Sequence, residues 1–260
     1  MSIGDTALEI HDLTVSYDKK PVLWGIDLSI PKGVICGIIG PNGAGKSTLI
    51  KAIMNLLPAS SGYVKILNQD LQAIRKSVSY VPQRESVDWD FPASVLDIVE
   101  MGRYGKAGLF KKLKKADKEA AMDALRQVGM EPFKDRQISQ LSGGQQQRVF
   151  LARALCQEAD VYFMDEPFAG VDAATEKAII QLLRKLSEKG KTVIVVHHDL
   201  QSVQQYFDWL IMLNLRLIAA GPTSGVFSEE NLTEAYGGKL TLLTEVGELM
   251  RKEEYPTREQ

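Results

Sequence analysis

Cysteine and histidine are scarce in this chain, which has two of the first and three of the second among 260 residues. Cys36 and Cys156 sit in apolar contexts without metal-ligand spacing, and the histidines add no cluster to them. A resident thiolate or imidazole metal centre is therefore excluded, and two small buried thiols are expected. Long apolar runs are also missing, since none approaches the roughly 18 residues needed to cross a bilayer. Met1–Leu13 lacks the basic start and apolar centre of a secretory signal, so a cytosolic protein is expected. Neither sign of charge is in excess, with 31 Lys and Arg against 33 Asp and Glu, and nothing marks a general polyanion binder. There is no internal repeat, coiled-coil heptad or low-complexity segment.

What remains is an alternation of short apolar runs and helical patterns. Leu8–Tyr17 and Val22–Ile30 read as strands flanking the turn Asp18-Lys19-Lys20-Pro21. Val34–Ile39 is nearly all apolar, as a strand covered on both faces must be. Leu49, Ile50, Ile53, Met54 and Leu57 then recur at helical spacing up to Pro58. Gly62–Leu67 and Val78–Val81 follow as strands. The stretch from about Gln83 to Gln140 is charged and mostly helical, with one helix marked by Ala121, Ala124, Leu125 and Val128 and closed by Gly129. After Gly143 the pattern resumes: a helix through Val149–Cys156, a strand over Val161–Met164, a helix over Ala173–Lys189 and a buried strand over Thr192–Val196. Such alternation predicts an α/β fold with a mostly parallel sheet. Beyond about Leu243 the chain turns polar, with Arg251-Lys252-Glu253-Glu254, and a mobile tail is expected.

Gly40-Pro41-Asn42-Gly43-Ala44-Gly45-Lys46-Ser47-Thr48 has the spacing of a phosphate-binding loop, between a buried strand and a helix. Its glycines let successive N–H groups face one anion, and the helix N-terminus adds its positive end. Lys46 is then expected on the β- and γ-phosphates and the Ser47 hydroxyl on Mg²⁺. A second metal anchor should be a carboxylate ending another buried strand, and Asp165 of Val161-Tyr162-Phe163-Met164-Asp165 supplies it. Glu166 follows directly, placed to polarise the attacking water as general base. Gln83 and His198 also sit just past predicted strands, on the edge where open α/β sheets bind ligands. An amide there can touch Mg²⁺ or the water, and an imidazole can bond the γ-phosphate.

In this order and spacing, the phosphate loop, Gln83, Leu141-Ser142-Gly143-Gly144-Gln145, Asp165-Glu166 and His198 resemble the ATP-binding cassette family over roughly residues 3–243. The resemblance implies a P-loop NTPase-type, mostly parallel sheet with an antiparallel N-terminal β region and a helical insertion at about 84–150, followed by a polar tail over 244–260. It implies that Tyr17 stacks on adenine and that Asp172, in Ala169-Gly170-Val171-Asp172, belongs to a loop crossing a dimer interface. It places the phosphate sensor at His198, the histidine preceding Asp-Leu, although His197 stands beside it. The Leu141–Gln145 signature of one subunit closes over ATP held by the phosphate loop of another in this family. With one loop and one signature per chain, a homodimer is expected, using ATP and Mg²⁺ and no nucleic acid.

Gln83–Gly105 would begin the surface that meets an integral membrane permease. Trp89, Phe91 and Pro92, rimmed by Asp88 and Asp90, have the composition of an interface anchor, against the alternative of a folded loop with internal aromatics. Lys111–Lys115 reads more simply as a solvated helix end than as a membrane contact. Val87-Asp88-Trp89-Asp90-Phe91-Pro92, with Leu213–Pro222, resembles the ATPase subunits of bacterial manganese, zinc and iron importers, most of all the manganese type. That implies a peripheral protein on the inner face of the membrane, a permease dimer as partner and, indirectly, an extracytoplasmic metal-binding protein. A different transported substrate, or a non-transport ATPase of this family acting on nucleic acid, remains as the alternative.

Overall fold

The computed structural model describes residues 6–17, 20–108 and 112–237. Its elements in chain order are β1 (Thr6–Tyr17), β2 (Lys20–Pro31), β3 (Ile35–Ile39), α1 (Lys46–Ile53), β4 (Ser61–Ile66), α2 (Leu71–Ile74), β5 (Val78–Val81), α3 (Val95–Ala107) and α4 (Lys115–Gln127). Then come α5 (Gly143–Cys156), β6 (Val161–Asp165), α6 (Ala173–Glu188), β7 (Thr192–Val196), α7 (Val203–Tyr206), β8 (Trp209–Asn214), β9 (Arg216–Pro222), α8 (Thr223–Val226) and α9 (Glu229–Tyr236). The chain separates into two compact units, residues 1–68 with 196–260, and residues 69–195. The expected turn at Asp18-Lys19, Lys111 and the expected polar tail lie outside the described residues.

In the first unit an antiparallel sheet runs β2-β1-β4. Leu8, Ile10, Leu13 and Val15 of β1 are buried with Leu23, Ile26, Leu28 and Ile30 of β2. Alternation along each strand thus gives one packed face, as a half-covered antiparallel sheet requires. β3 pairs in parallel with β8, Cys36 opposite Trp209, and β8 turns back antiparallel onto β9. All five residues of β3 are buried, which is why its sequence reads as an unbroken apolar run.

α1 stops at Ile53, four residues short of the helical spacing that continues to Leu57. Asn55 takes a left-handed φ of 54° and donates to Ala52 O at 3.0 Å, while Leu56 N–H reaches Lys51 O at 2.8 Å. These two bonds are a Schellman stop, so Asn55 rather than Pro58 ends the helix, and Leu56 is left exposed.

In the second unit β5, β6 and β7 lie in that order, β5 and β6 parallel, with Val78 opposite Val161 and Val81 opposite Met164. This register makes both strands end at one edge, so the residues that follow them, Gln83 and Asp165-Glu166, emerge together. α5 begins at Gly143, earlier than the Val149 start that periodicity suggests. The cause is a capping box: Ser142 Oγ accepts from Gln145 N–H at 3.4 Å and Gln145 Oε1 accepts from Ser142 N–H at 2.9 Å. Cys36 and Cys156 are both buried free thiols, and burial pushes Cys156 up to about 11. The expectation of two inert core thiols holds.

α3, α4 and α5 are clamped through Arg103. Its Nε donates to Asp117 Oδ1 at 3.0 Å, and its Nη1 donates to Glu158 Oε2 at 2.7 Å and Cys156 O at 3.0 Å. Glu158 is held below the usual carboxylate range by hydrogen bonds from Lys106 and then Arg103. Asp117 is lowered by the Lys114 backbone N–H and then by Arg103. Carboxylates depressed in the folded state stabilise it above their unfolded pKa of about 4, and that contribution is lost as pH falls through the lower folded values. Arg103→Ala is therefore expected to lower Tm at neutral pH, with the gap to wild type narrowing on acidification below about pH 4. Thermal melts of both proteins from pH 7 down to pH 3 check this, and a gap independent of pH would contradict it.

Candidate active site

The phosphate-loop sequence leaves β3 at Ile39 and re-enters helix at Lys46, and the geometry between is set by close approaches. A Cβ on Gly40 would lie 2.0 Å from Leu213 O, so only glycine lets the loop leave the strand against β8. Gly45, the N-cap of α1, has a φ of 92°. Asn42 and Gly43 form the exposed tip, Ala44 is buried, and Pro41, Ser47 and Thr48 are half-buried. Lys46 is buried, and its Nζ donates to Gly40 O at 2.8 Å and Pro41 O at 2.9 Å, inside the curl of the loop. Tyr17 ends β1 and is 45 % exposed, as an aromatic platform needs.

Support for this loop comes partly from residues that carry no motif. Leu215, at the β8–β9 turn with a φ of 61°, donates its N–H to Ala44 O at 3.0 Å and accepts from Trp24 N–H at 3.0 Å. The Arg216 guanidinium lies 4.8 Å from the Trp24 ring centre. Leu213–Pro222 stands out in the sequence through its resemblance to metal-importer subunits, which carries no signal for this supporting role.

The two adjacent histidines after β7 differ sharply. His197 is buried at 2 % exposure, whereas His198 is exposed. Burial first of all brings His197 down to about 4, so it is neutral at physiological pH. Of the two, only His198 presents its ring to an outside ligand.

The second unit holds the carboxylates. Asp165 is wholly buried at the end of β6, and Glu166 follows with a left-handed φ of 52°. A non-glycine residue in that region costs of order 1 kcal/mol and is characteristic of functional turns. Gln83 Nε2 donates to Glu166 Oε2 at 3.5 Å, so the sheet edge brings these two predicted residues together. Tyr80 is raised to about 12, by burial first and then by the negative charge of Asp165.

Leu141 is buried, Ser142 exposed, and Gly143, Gly144 and Gln145 half-buried at the first turn of α5. Ser142 Oγ accepts the capping bond and still carries its own proton for an outside acceptor. A Cβ on Gly144 would lie 3.0 Å from Gly170 O, so the signature helix packs directly on the loop that carries Asp172. Asp172 is the N-cap of α6, accepting Thr175 N–H at 2.9 Å and Thr175 Oγ1–H at 2.8 Å, and these bonds lower its pKa.

The expectation for the aromatic segment divides. Trp89 is half-buried and packs inward: its indole N–H donates to Arg84 O at 2.8 Å and its ring meets Phe150 edge-on at 4.9 Å. Phe91 at 51 % exposure and Pro92 face outward. Arg84 was not singled out by sequence, yet its Nε and Nη2 donate to Gln146 Oε1 at 3.3 and 3.2 Å, and Gln146 Nε2 donates to Ile138 O. Gln83's immediate neighbour is thereby tied to the signature helix. Lys112, Lys114 and Lys115 are exposed at the start of α4, in keeping with a solvated helix end.

No helix among the described residues is long and apolar enough to cross a membrane, and those residues hold no His, Cys, Asp and Glu cluster able to bind a metal ion. The sequence profile of the ABC transporter family matches residues 23–169. The manganese transport system ATP-binding protein MntB of Bacillus subtilis is 64 % identical over 91 % of this chain and 94 % of its own length. The zinc transport system ATP-binding protein TroB of Treponema pallidum is 58 % identical over 90 % of this chain and 88 % of its own. Among solved structures, a dimeric post-hydrolysis state of an ATP-binding cassette bound to ADP and Pi superposes with a TM-score of 0.74 at 29 % identity, covering 83 % of this chain and 98 % of that one.

Proposed function

The chain belongs to the ABC transporter family, and from that premise we propose that it is the ATP-hydrolysing subunit of a bacterial importer of divalent metal ions, manganese before zinc or iron. The observation that carries the catalytic half of this reading is the paired exit of β5 and β6. It sets Gln83 on Glu166 beside the buried Asp165. The 64 % identity to a manganese-system subunit supports the transported ion.

Each group then has a task fitted to its place. The phosphate-loop N–H groups and Lys46 bind the β- and γ-phosphates, and Tyr17 stacks on the adenine. Glu166 takes a proton from the attacking water, with its carboxylate steadied by the Gln83 amide. His198 hydrogen-bonds the γ-phosphate. Ser47, Gln83 and Asp165 each carry an oxygen donor, a hydroxyl, an amide and a carboxylate, of the kind that suits a hard divalent ion. These residues would hold Mg²⁺, which when bound neutralises charge on the β- and γ-oxygens. Ser142 to Gln145, exposed at a helix N-terminus, close over ATP held by a second copy. A dimeric relative bound to ADP and Pi supports that arrangement. Phe91 and Pro92 supply an apolar contact for the separate permease.

Uptake of radiolabelled manganese into cells lacking this chain tests the reading. The wild-type chain should restore uptake and Glu166→Gln should not. Uptake that is unchanged by deletion of the chain, with manganese the limiting nutrient, would remove manganese from the proposal.

A further inference from the structure

The buried His197 is bonded in a way that its burial alone does not require. Its Nε2 lies 2.7 Å from Ser202 Oγ, and Ser202 Oγ lies 2.8 Å from Asp199 Oδ2. Asp199 Oδ1 accepts from Gln201 N–H at 3.0 Å, closing the short turn Leu200–Ser202. Ser202 Oγ also donates toward the Asp199 backbone O at 3.2 Å, so the hydroxyl is held on Asp199 from two sides. The 2.7 Å contact to the imidazole is a hydrogen bond whose donor is set by the His197 tautomer.

This chain of bonds begins and ends around His198. The His197 backbone N–H donates to Ile38 O at 3.0 Å, two residues before the phosphate loop starts at Gly40. The His197 ring is packed edge-on against Phe207 at 5.3 Å. Asp199, on the other side of His198, is fixed through both carboxylate oxygens. The exposed imidazole is thus flanked by two residues whose side chains are joined to each other through Ser202.

We propose that His197 is a positioning residue for ATP hydrolysis: the buried His197–Ser202–Asp199 bonds fix the backbone that presents His198 to the γ-phosphate. The inference rests on the reading of His198 as the phosphate-contacting histidine. It assigns the second histidine of the pair a task distinct from phosphate contact, and it makes Ser202 part of the same device.

The test is steady-state ATPase kinetics of the full chain with His197→Phe, Ser202→Ala, the double variant and His197→Gln, each checked for an unchanged Tm. His197→Phe keeps the bulk and loses the hydrogen-bonding nitrogen, and Ser202→Ala removes one oxygen from a site 9 % exposed. Each is expected to lower kcat by about tenfold with KM for ATP changed by less than about twofold, and the double variant should lose no more than either alone. His197→Gln, whose amide can donate or accept near the Nε2 position, should recover most of the rate. Wild-type kcat in Ser202→Ala, a loss carried by KM, or a His197→Gln no better than His197→Phe would overturn the proposal. If His197→Phe does not fold, Ser202→Ala decides alone. His198→Ala separates the two levels: normal turnover there overturns the reading of His198 itself. An inactive His198→Ala beside a normal Ser202→Ala overturns only the positioning role.

Discussion

Glu166→Gln is expected to lower ATP turnover by about 10²- to 10⁴-fold while ATP binding stays near wild type. The amide keeps the size of the carboxylate and an oxygen able to accept from Gln83 Nε2, so the 3.5 Å contact survives. It also has the same backbone preference at a φ of 52°, so the turn after β6 is not further strained. Only the basic oxygen is lost, and with it the group that takes the proton from water. Binding without hydrolysis should hold two chains together, because the γ-phosphate contacts that favour closure persist. Gel filtration with ATP and Mg²⁺ should therefore show a dimer for this variant and not for wild type. Hydrolysis at the wild-type rate would strip Glu166 of its assigned role.

The second large effect lies at Ser142. Ser142→Arg places a long cation on the exposed first turn of α5, where a partner's phosphates would have to arrive. Loss of the cap should cost about 1 kcal/mol, so the chain still folds. ATP binding by the isolated chain is expected to be unchanged, since the phosphate loop and Tyr17 are untouched. Turnover should fall by about 10²-fold or more, because closure over the second copy's nucleotide is blocked. Equilibrium binding of a fluorescent ATP analogue, measured beside the ATPase rate, gives the split. Turnover unaffected by the substitution would contradict a shared site.

How much of this was legible in sequence depended on whether chemistry or packing decided the position. The phosphate-loop sequence, the acids after β6 and the helix N-terminus at Ser142 could be placed because each needs particular residue types at a fixed spacing. The parallel pairing followed from apolar runs such as Ile35–Ile39 and their alternation with helices, whereas the antiparallel N-terminal sheet was implied by the family resemblance. Helix ends were less readable. Periodicity carried α1 past Asn55, whose left-handed turn is written in hydrogen bonds to Lys51 and Ala52 rather than in hydrophobicity. It also covered only Val149–Cys156 of α5, because the capping box has glycines where an apolar pattern would be sought. Composition could not separate Trp89 from Phe91, since both are aromatic; the bond from the indole N–H to Arg84 O shows which one packs against the protein. The histidine pair looks alike for the same reason, and only the structure shows that His197 is buried and His198 exposed. Arg84, Gln146, Leu215 and Ser202 carried no signal at all, being ordinary residues placed by tertiary contacts.

The central claim is that one ATP is completed by two chains, and complementation between two inactive variants tests it most directly. Lys46→Ala removes the phosphate grip and keeps the signature, whereas Ser142→Arg does the reverse. Mixed one to one, half of the dimers formed at random contain both chains, and each such dimer holds one site with both halves intact. ATP hydrolysis by the mixture is predicted to rise to about a quarter of the wild-type rate, from near nothing for either variant alone. A mixture no more active than the average of its two components would contradict the account.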